Sequence, residues 1–317
     1  MAATTPAPVI GIALGGGSAR GWAHIGVLAA LAERGIEPQI ICGTSIGALV
    51  GGIYAAGKLG ELESWVMQLT RREVLALLDF TLGGGGAIAG KRLIDLYRKH
   101  LGDITIEELP RRFAAVATDL GSGSEIWLQE GSLLDAIRAS ISIPGLFTPV
   151  FREGRWLADG GLVNPVPVNL CRVLGAELVI AVDLHGASLQ RSSRGGVGPA
   201  RPAVVRDGAD RSPSAATEPS GVDAAQAPAS NNSPPPFGWV VQSAFDIMQI
   251  RLSRSRLAGD PPDLLLTPRV LQVPSFEFTR GRSTIEEGRN AVRRMMPALN
   301  DLIGLASERH PLLDRRP

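Results

Sequence analysis

Two short apolar runs near the N-terminus each lead into a glycine-rich turn and then into a helical pattern. Residues 9–14 precede the turn at residues 15–17, and residues 39–42 precede the turn at residues 43–47. A short apolar run before a glycine turn is typical of a buried strand, and apolar residues at helical spacing follow each turn. Strand, helix, strand and helix in this order predict an α/β fold of three layers, α/β/α, with a mainly parallel central sheet.

The rest of the chain continues this alternation of strands and helices. The almost wholly apolar run at residues 177–184 is typical of a strand at the centre of a sheet. Thr284 precedes the last helical pattern, and we expect it to cap that helix. The remaining patterns predict strands at residues 113–118, 125–129, 155–158 and 263–267, and helices at residues 73–78, 91–100, 133–140, 166–174, 239–257 and 284–302.

The composition of the chain changes abruptly at residue 186. From there to residue 236 the sequence has no aromatic residue and no isoleucine. Such a segment cannot bury enough apolar surface to offset the loss of chain entropy on folding, so we predict that it is disordered. The predicted organisation is a flexible N-terminus at residues 1–8, a folded domain at residues 9–185, a disordered insert at residues 186–238, helices and a strand that complete the same domain at residues 239–305, and a tail at residues 306–317.

The charge balance and the cysteines exclude several classes of protein. The formal net charge is +1, from 32 basic and 31 acidic residues, whereas nucleic-acid-binding proteins usually carry a concentrated basic footprint. Cys42 and Cys171 are too few for a disulfide framework and lack metal-binding spacing. We therefore expect no nucleic-acid partner, no metal and no cofactor, and we expect both cysteines to be small buried residues.

The sequence also bears on the cellular compartment. No positive charge precedes the first apolar run, so the N-terminus does not resemble a secretory signal, and we expect a cytoplasmic protein. Residues 38–57 carry no charge and are about as long as a bilayer span. Glycine, serine and threonine residues interrupt this run, so a strand, a tight turn and a buried helix explain it better than a membrane span.

The second turn has the pattern of a nucleophile elbow. Gly43-x-Ser45-x-Gly47 lies between a predicted strand and a predicted helix. Such an elbow needs small neighbours, because the chain turns sharply and the serine takes up a strained conformation. An ordinary glycine turn with a capping serine or threonine has the same local pattern. The strand and the helix on either side favour Ser45 as a nucleophile.

The first turn, Gly15-Gly16-Gly17, allows backbone N–H groups to approach a ligand oxygen closely. Two kinds of site are compatible with this: a phosphate cradle and an oxyanion hole. The dinucleotide-binding pattern fails, because Arg20 stands where its third glycine belongs. Beside an elbow serine, an oxyanion hole with N–H donors from the glycines is the better interpretation.

Several residues are candidates for the base that activates Ser45. Asp159 follows a predicted strand, although Asp-Gly is also a common hairpin turn. Asp119 and Asp183 are rival acids at the ends of other strands. His185 follows Asp159 and precedes the charged C-terminal tail, so it fits the chain order serine, aspartate, histidine of a catalytic triad.

Four motifs occur together in this chain: Gly15-Gly16-Gly17-x-x-Arg20-Gly21, Gly43-Thr44-Ser45-Ile46-Gly47, Ala139-Ser140-x-Ser142-Ile143-Pro144-Gly145 and Asp159-Gly160-Gly161. In this order and at these separations they resemble the patatin-like phospholipases, most closely the bacterial stand-alone patatin-domain proteins. The resemblance covers residues 9–184 and is looser from residue 239 onward. Four ordered motifs are far more specific than any one of them.

The resemblance implies a Ser–Asp dyad that works without histidine. In such a dyad Ser45 is the nucleophile and Asp159 accepts its proton, while the three glycines of the first turn supply oxyanion N–H donors with Arg20 close by. It also implies a lipid or other acyl-ester substrate, hydrolysed in the manner of a phospholipase A or a lysophospholipase. The residues that it assigns to supporting roles are Arg20, Gly43, Gly47, Pro144, Gly160 and Gly161.

Two segments are candidates for contact with such a substrate. The apolar residues after the third motif, which are expected either to line a channel or to form core, are Leu146, Phe147, Val150 and Phe151. The predicted helix at residues 239–257 is apolar on one side, with arginines near its end. That pattern is typical both of packing against the core and of peripheral contact with an anionic membrane surface.

Two other functions remain compatible with the sequence. One is an esterase with a triad of Ser45, Asp159 and His185. The other is a non-enzymatic nucleotide-binding or scaffold protein, in which the glycine turn holds phosphate and the insert recruits partners. The sequence does not indicate an oligomeric state.

Overall fold

The computed structural model of the protein describes residues 8–81, 83, 85–186, 235 and 237–308. The predictions of a flexible N-terminus, a disordered insert and a C-terminal tail fall mainly on residues 1–7, 187–234 and 309–317, which lie outside the described part of the chain. Those three predictions therefore remain predictions.

The described strands are β1 (Ile10–Leu14), β2 (Ile40–Thr44), β3 (Gly86–Ile88), β4 (Arg112–Asp119), β5 (Glu125–Leu128), β6 (Gly145–Phe147), β7 (Val150–Arg152), β8 (Arg155–Asp159), β9 (Leu178–Val182) and β10 (Leu264–Leu266). A central sheet of eight strands has the order β10-β9-β1-β2-β4-β8-β7, with β5 also paired to β4. The pairs among β10, β9, β1, β2 and β4 are parallel, whereas β5, β8 and β7 pair antiparallel. The predicted mainly parallel sheet is confirmed.

The described helices are α1 (Ala23–Ala32), α2 (Ile46–Ala55), α3 (Leu59–Gln68), α4 (Arg71–Ala76), α5 (Lys91–Leu101), α6 (Leu133–Ser140), α7 (Val168–Val173), α8 (Phe237–Gly259) and α9 (Gly281–Glu308). Side chains of α1, α2, α6 and α9 form a core with one face of the sheet. Side chains of α7 and the end of α8 form a second core with the other face. Helices therefore lie on both sides of the sheet, which confirms the three-layer α/β/α architecture.

The central strands are apolar because both of their faces are covered. Every residue of β1, β2 and β9 is buried, as a parallel sheet between two helix layers requires. Cys42 and Cys171 are both buried and reduced, and they lie in the same core cluster. The prediction that they serve as small buried residues is confirmed.

The register of β4 brings the C-terminal ends of the two strands that flank it, β2 and β8, to the same level. Thr44, the last residue of β2, pairs with Val116 of β4. Asp159, the last residue of β8, pairs with the next residue of β4, Ala117. Because β2 runs parallel and β8 antiparallel to β4, their C-terminal ends reach the same level of β4 from opposite directions. The turn that follows β2 therefore lies at the level of Asp159.

The helices differ from the sequence-based predictions in two respects. Thr284 does not cap the last helix, because α9 already begins at Gly281, and the Thr284 hydroxyl donates to the Arg280 carbonyl at 2.8 Å. A threonine inside a helix commonly bonds back to the carbonyl four residues earlier. Helix α3 was not predicted from the sequence, and it packs against α2 and α9.

The apolar run at residues 38–57 is divided between β2, the turn at Ser45 and α2. None of the helices in the described ranges combines the length and the apolarity that crossing a bilayer requires. The prediction of a strand, a tight turn and a buried helix is confirmed.

Candidate active site

Ser45 occupies a sharp turn between β2 and α2. Its backbone has φ 57° and ψ −124°, a strained conformation for a residue with a side chain. The turn brings α2 so close to the sheet that only glycine fits on either side. A Cβ on Gly47 would lie 2.1 Å from the Leu14 carbonyl oxygen, and one on Gly43 would lie 2.5 Å from the Ala48 nitrogen.

A hydrogen-bonded serine behind the turn fixes the backbone of Ser45. The Ser45 N–H donates to the Ser140 hydroxyl at 2.9 Å, and that hydroxyl donates in turn to the Val116 carbonyl at 2.6 Å. Ser140 is the last residue of α6 and is fully buried. Its role could not be inferred from local pattern, because its partners are 95 and 24 residues away in sequence.

The Ser45 hydroxyl donates a hydrogen bond directly to Asp159. The distance from Ser45 Oγ to Asp159 Oδ2 is 2.5 Å, and the two residues are 4% and 0% exposed. The other carboxylate oxygen, Oδ1, accepts from the Gly161 N–H at 2.7 Å. The carboxylate is thus held by one bond from the serine and one from the backbone.

Two further contacts hold the backbone of Asp159. Its N–H donates to the Ser142 carbonyl at 2.9 Å, so the motif at residues 139–145 anchors the end of β8. The Thr118 hydroxyl donates to the Asp159 carbonyl at 2.8 Å. Pro144 follows in the turn between α6 and β6. A Cβ on Gly160 would lie 2.3 Å from the Val116 carbonyl oxygen, so this position also requires glycine.

Burial makes Asp159 a stronger base than an ordinary aspartate. Desolvation raises the pKa of Asp159 from 3.8 to about 7, although the hydrogen bonds from Ser45 and Gly161 act in the opposite direction. A carboxylate with a pKa near neutrality can accept a proton from a hydroxyl that it already contacts. The pair therefore has the geometry and the basicity for nucleophilic attack by the Ser45 oxygen.

The glycine turn after β1 lies against Ser45, but two of its amides are occupied. A Cβ on Gly16 would lie 3.6 Å from the Ser45 Cβ. The Gly15 N–H donates to the Val182 carbonyl and the Gly16 N–H to the Pro165 carbonyl, both at 3.0 Å. The expectation that all three glycines offer free N–H groups is thus wrong for these two in this conformation. The bonds to β9 and to residue 165 are long-range contacts, which sequence pattern does not reveal.

His24 lies beneath this turn and was not singled out from the sequence. Its Nε2 is 2.8 Å from the Gly15 carbonyl oxygen. Complete burial lowers the pKa of His24 to about 4, so the ring is neutral near pH 7 and donates from Nε2 to that carbonyl. His24 therefore supports the glycine turn and is not placed to take a proton from Ser45.

Arg20 is buried and bonded to parts of the fold outside the glycine turn. Its Nε donates to the Val273 carbonyl at 3.0 Å, and its guanidinium lies 3.5 Å from the Asp246 carboxylate on α8. It thus ties the glycine turn to segments that follow the insert in sequence. These contacts agree with a supporting, structural role for Arg20.

Gln249 of α8 reaches the site from the other side. It is 2% exposed, and its amide lies between the glycine turn and the Asp-Gly-Gly motif. A Cβ on Gly161 would lie 2.3 Å from Gln249 Nε2 and 3.0 Å from Asp159 Oδ1, and one on Gly16 would lie 3.3 Å from Gln249 Oε1. Gln249 could not be identified from the sequence, because its position on a helical face gives no indication of what that face contacts.

The rival acids and the rival base make contacts of other kinds. Asp119 accepts from the Arg155 guanidinium at 2.9 Å. The backbone N–H of His185 donates to Asp183 Oδ1 at 2.9 Å, and the ring Nδ1 of His185 lies 4.0 Å from the same oxygen. Asp159 is the residue that accepts the hydrogen bond from the Ser45 hydroxyl. The Ser45 hydroxyl thus donates to a carboxylate and not to an imidazole.

An apolar cavity of about 320 Å³ opens at Ser45. Leu146 and Phe147 line it, as expected, together with side chains from α2, α3, α4 and α5. Val150 and Phe151 are not among its lining residues, and Phe151 is exposed. The expected channel is therefore present, but only the first half of the predicted segment contributes to it.

The sequence matches a known family and named relatives. The family model described as Patatin-like phospholipase matches residues 12–172. An uncharacterized NTE family protein of Mycobacterium tuberculosis is 36% identical over 331 residues, covering 92% of this chain and 92% of that protein. A patatin-like phospholipase domain-containing protein of Caenorhabditis elegans is 38% identical over 189 residues, covering 55% of this chain and 13% of that protein.

Two solved structures are also similar. VipD from Legionella pneumophila superposes with a TM-score of 0.38 at 14% sequence identity, covering 94% of this chain and 78% of that chain. Human GIVD cytosolic phospholipase A2 superposes with a TM-score of 0.42 at 14% identity, covering 95% of this chain and 60% of that chain.

Proposed function

Because the chain belongs to the patatin-like phospholipase family, we propose that it is a serine acyl-ester hydrolase acting on lipids, with Ser45 as nucleophile and Asp159 as base. The observation that carries this proposal is the 2.5 Å contact between the Ser45 hydroxyl and the Asp159 carboxylate. A phospholipase A or lysophospholipase reaction fits this chemistry, since each releases a fatty acid from a glycerol ester.

The first half of the proposed reaction transfers an acyl group to the enzyme. As the Ser45 oxygen attacks the ester carbonyl carbon, its proton passes to Asp159 Oδ2. The tetrahedral intermediate collapses and the bond between the acyl carbon and the alcohol oxygen breaks. The leaving alcohol takes the proton from Asp159, and an acyl-enzyme remains on Ser45.

Water completes the cycle. Asp159, again a carboxylate, accepts a proton from a water molecule as the water oxygen attacks the acyl carbon. The bond between that carbon and the Ser45 oxygen breaks, and the serine recovers its proton from Asp159. A fatty acid is released and the dyad returns to its starting state.

The negative charge of the tetrahedral intermediate needs N–H donors beside Ser45. We assign this role to the amides of Gly17 and Ile46. Ile46 follows the nucleophile and is the first residue of α2, where an amide has no partner within the helix. Gly17 follows the two glycines whose amides are occupied, and a side chain there would lie 2.7 Å from Leu184 Cδ1. One donor of this kind contributes roughly 3 kcal/mol to transition-state stabilisation.

The cavity supports a lipid substrate. It begins at Ser45, and its walls consist mainly of leucine, isoleucine, valine and aromatic side chains. A hydrocarbon chain gains free energy when it leaves water for such walls. We therefore place the acyl chain of the substrate in this cavity, with its ester carbonyl at Ser45.

Hydrolysis of p-nitrophenyl octanoate by single variants tests the proposal. We expect Ser45→Ala and Asp159→Asn each to lose at least about a hundredfold in kcat/KM, the scale of an acid–base partner. His185→Gln serves as a matched control, because the triad alternative requires that ring and the dyad does not. It is expected to keep activity close to that of the wild type.

Two outcomes would contradict this assignment. If Asp159→Asn hydrolysed the ester at nearly the normal rate, Asp159 would not be the base. If His185→Gln lost as much as Ser45→Ala while remaining folded by circular dichroism, the triad would replace the dyad.

A further inference from the structure

A second cavity adjoins the one that begins at Ser45. It measures about 450 Å³ and is formed by the end of α2 together with α3 and α5. Its apolar floor includes Ile53, Leu62 and Leu101, and charged side chains such as Lys58 stand at its edge. We call it the α3–α5 groove.

Trp65 and Tyr97 line both cavities. They are the shared wall between the cavity at Ser45 and the α3–α5 groove. Their ring centroids are 6.0 Å apart in an edge-to-face arrangement, and Trp22 contacts Trp65 at 6.3 Å from the cavity side. A hydrocarbon chain that enters at Ser45 and extends along the cavity therefore meets two aromatic rings before it reaches the groove.

Ring packing holds this wall in place. The Tyr97 hydroxyl is buried and has no hydrogen-bond partner in the described part of the chain. The Tyr97 side chain is therefore held by apolar packing, as part of the main core and in edge-to-face contact with Trp65. Trp65 and Tyr97 are the two residues that line both cavities, so removal of the Trp65 ring takes away one of the two side chains of this wall.

We propose that Trp65 and Tyr97 set the acyl-chain length that the enzyme accepts, and that the α3–α5 groove receives the methyl end of longer chains when this wall is reduced. The inference rests on the proposed function, because it takes the cavity at Ser45 as the acyl-chain site. With both rings in place, the chain must end inside the cavity. With Trp65 shortened, the cavity and the groove form one continuous apolar passage.

The test is the chain-length profile of hydrolysis, measured as kcat/KM for p-nitrophenyl butyrate, octanoate, laurate and palmitate. In Trp65→Ala we expect the ratio of palmitate to octanoate to rise at least about tenfold over the wild type, the effect of a few added apolar contacts. Trp156→Ala is the matched control, because Trp156 is 54% exposed and does not line either cavity. Its ratio should equal that of the wild type.

A second pair of variants guards against a misfolded Trp65→Ala. Trp65→Leu removes the ring but keeps an apolar side chain, and it should show the same change in smaller measure. Trp65→Ala combined with Gly60→Phe adds a ring at a residue that lines the groove, where nothing lies within 4 Å of a Cβ, and is designed to obstruct the groove. The ratio should return toward that of the wild type.

The outcomes separate this inference from the function on which it rests. If Trp65→Ala and Trp65→Leu are folded and active but keep the wild-type chain-length profile, Trp65 and Tyr97 do not set the acyl-chain length. That result leaves the hydrolase proposal intact. A wild-type protein that is inactive on every ester contradicts the hydrolase proposal, and the inference fails with it.

Discussion

The Ser45 hydroxyl and the Asp159 carboxylate are 114 residues apart in sequence and 2.5 Å apart in the fold. Neither residue type is unusual, and each motif alone has an ordinary structural explanation. Their contact gives them a common chemistry, because a buried carboxylate with a pKa of about 7 touches the hydroxyl that it would deprotonate. We attribute activation of the serine to this single contact.

The buried carboxylate should also reduce the stability of the folded protein at high pH. Burial raises the pKa of Asp159 above its unfolded value, so the carboxyl favours the folded state at low pH and loses this contribution as the pH rises through about 7. We predict that Asp159→Asn is more stable than the wild type at pH 8, by on the order of 2–4 kcal/mol in unfolding free energy. The difference should shrink at pH 4.

Urea unfolding at both pH values measures this difference. An Asp159→Asn protein that is less stable than the wild type at pH 8 would show that the charged carboxylate is well solvated or paired in the fold.

Residues whose roles depend on neighbours in sequence could be identified from the sequence, whereas residues whose roles depend on distant contacts could not. Ser45 stands out because an elbow needs glycines two residues away on both sides, a rule that is written in consecutive residues. Ser140 acts through the Ser45 amide and the Val116 carbonyl. The occupied amide of Gly15 depends on β9. Such contacts can be predicted only when the order of the strands in the sheet is known.

At the scale of elements, most strands and helices could be predicted from the sequence, but the elements that each of them contacts in the fold could not. The apolar runs of β1, β2 and β9 indicated buried strands because a central parallel strand is covered on both faces. Nothing in the sequence near α8 indicated that this helix reaches the glycine turn. The structure ties α8 to that turn through Arg20 and Asp246, and it places Gln249 beside Gly161.

We predict that Gln249 of α8 influences the basicity of Asp159. Gln249→Glu would place a second carboxyl group next to the first, and a neighbouring like charge raises the pKa of a carboxyl group. The midpoint of the rise of kcat/KM with pH should therefore move up by about one pH unit relative to the wild type. Gln68→Glu, the same change at an exposed position of α3, is the control and should leave the midpoint in place.

A loss of activity without a change of midpoint in Gln249→Glu would indicate that the helix matters only for folding. That result would remove Gln249 as a residue that positions the dyad or tunes its basicity.

At the scale of the whole molecule, segments on both sides of residues 187–234 build one sheet and one site. β10 pairs in parallel with β9, α9 packs along α1, and α8 contributes to the surroundings of Ser45. We therefore propose that residues 9–185 and 239–305 form a single catalytic domain and that the segment between them is not needed for the chemistry.

A chain in which residues 190–233 are replaced by a flexible glycine–serine linker tests that organisation. We expect kcat/KM for p-nitrophenyl octanoate within about threefold of the wild type, since most effects of changes away from a site are small. A folded product that has lost most of its activity would mean that the segment contributes to the site. The proposed domain organisation would then be wrong.

The central claim is that Asp159 activates Ser45 directly, and the rate of covalent labelling by a fluorophosphonate probe between pH 5 and pH 9 tests it most directly. We predict that the probe labels Ser45 in the wild type, identified by peptide mass spectrometry, and that the rate rises with pH through about 7, as Asp159 loses its proton. Asp159→Asn should react at least about a hundredfold more slowly at every pH above 7. Labelling of Asp159→Asn at the wild-type rate, or labelling of a residue other than Ser45, would contradict the account.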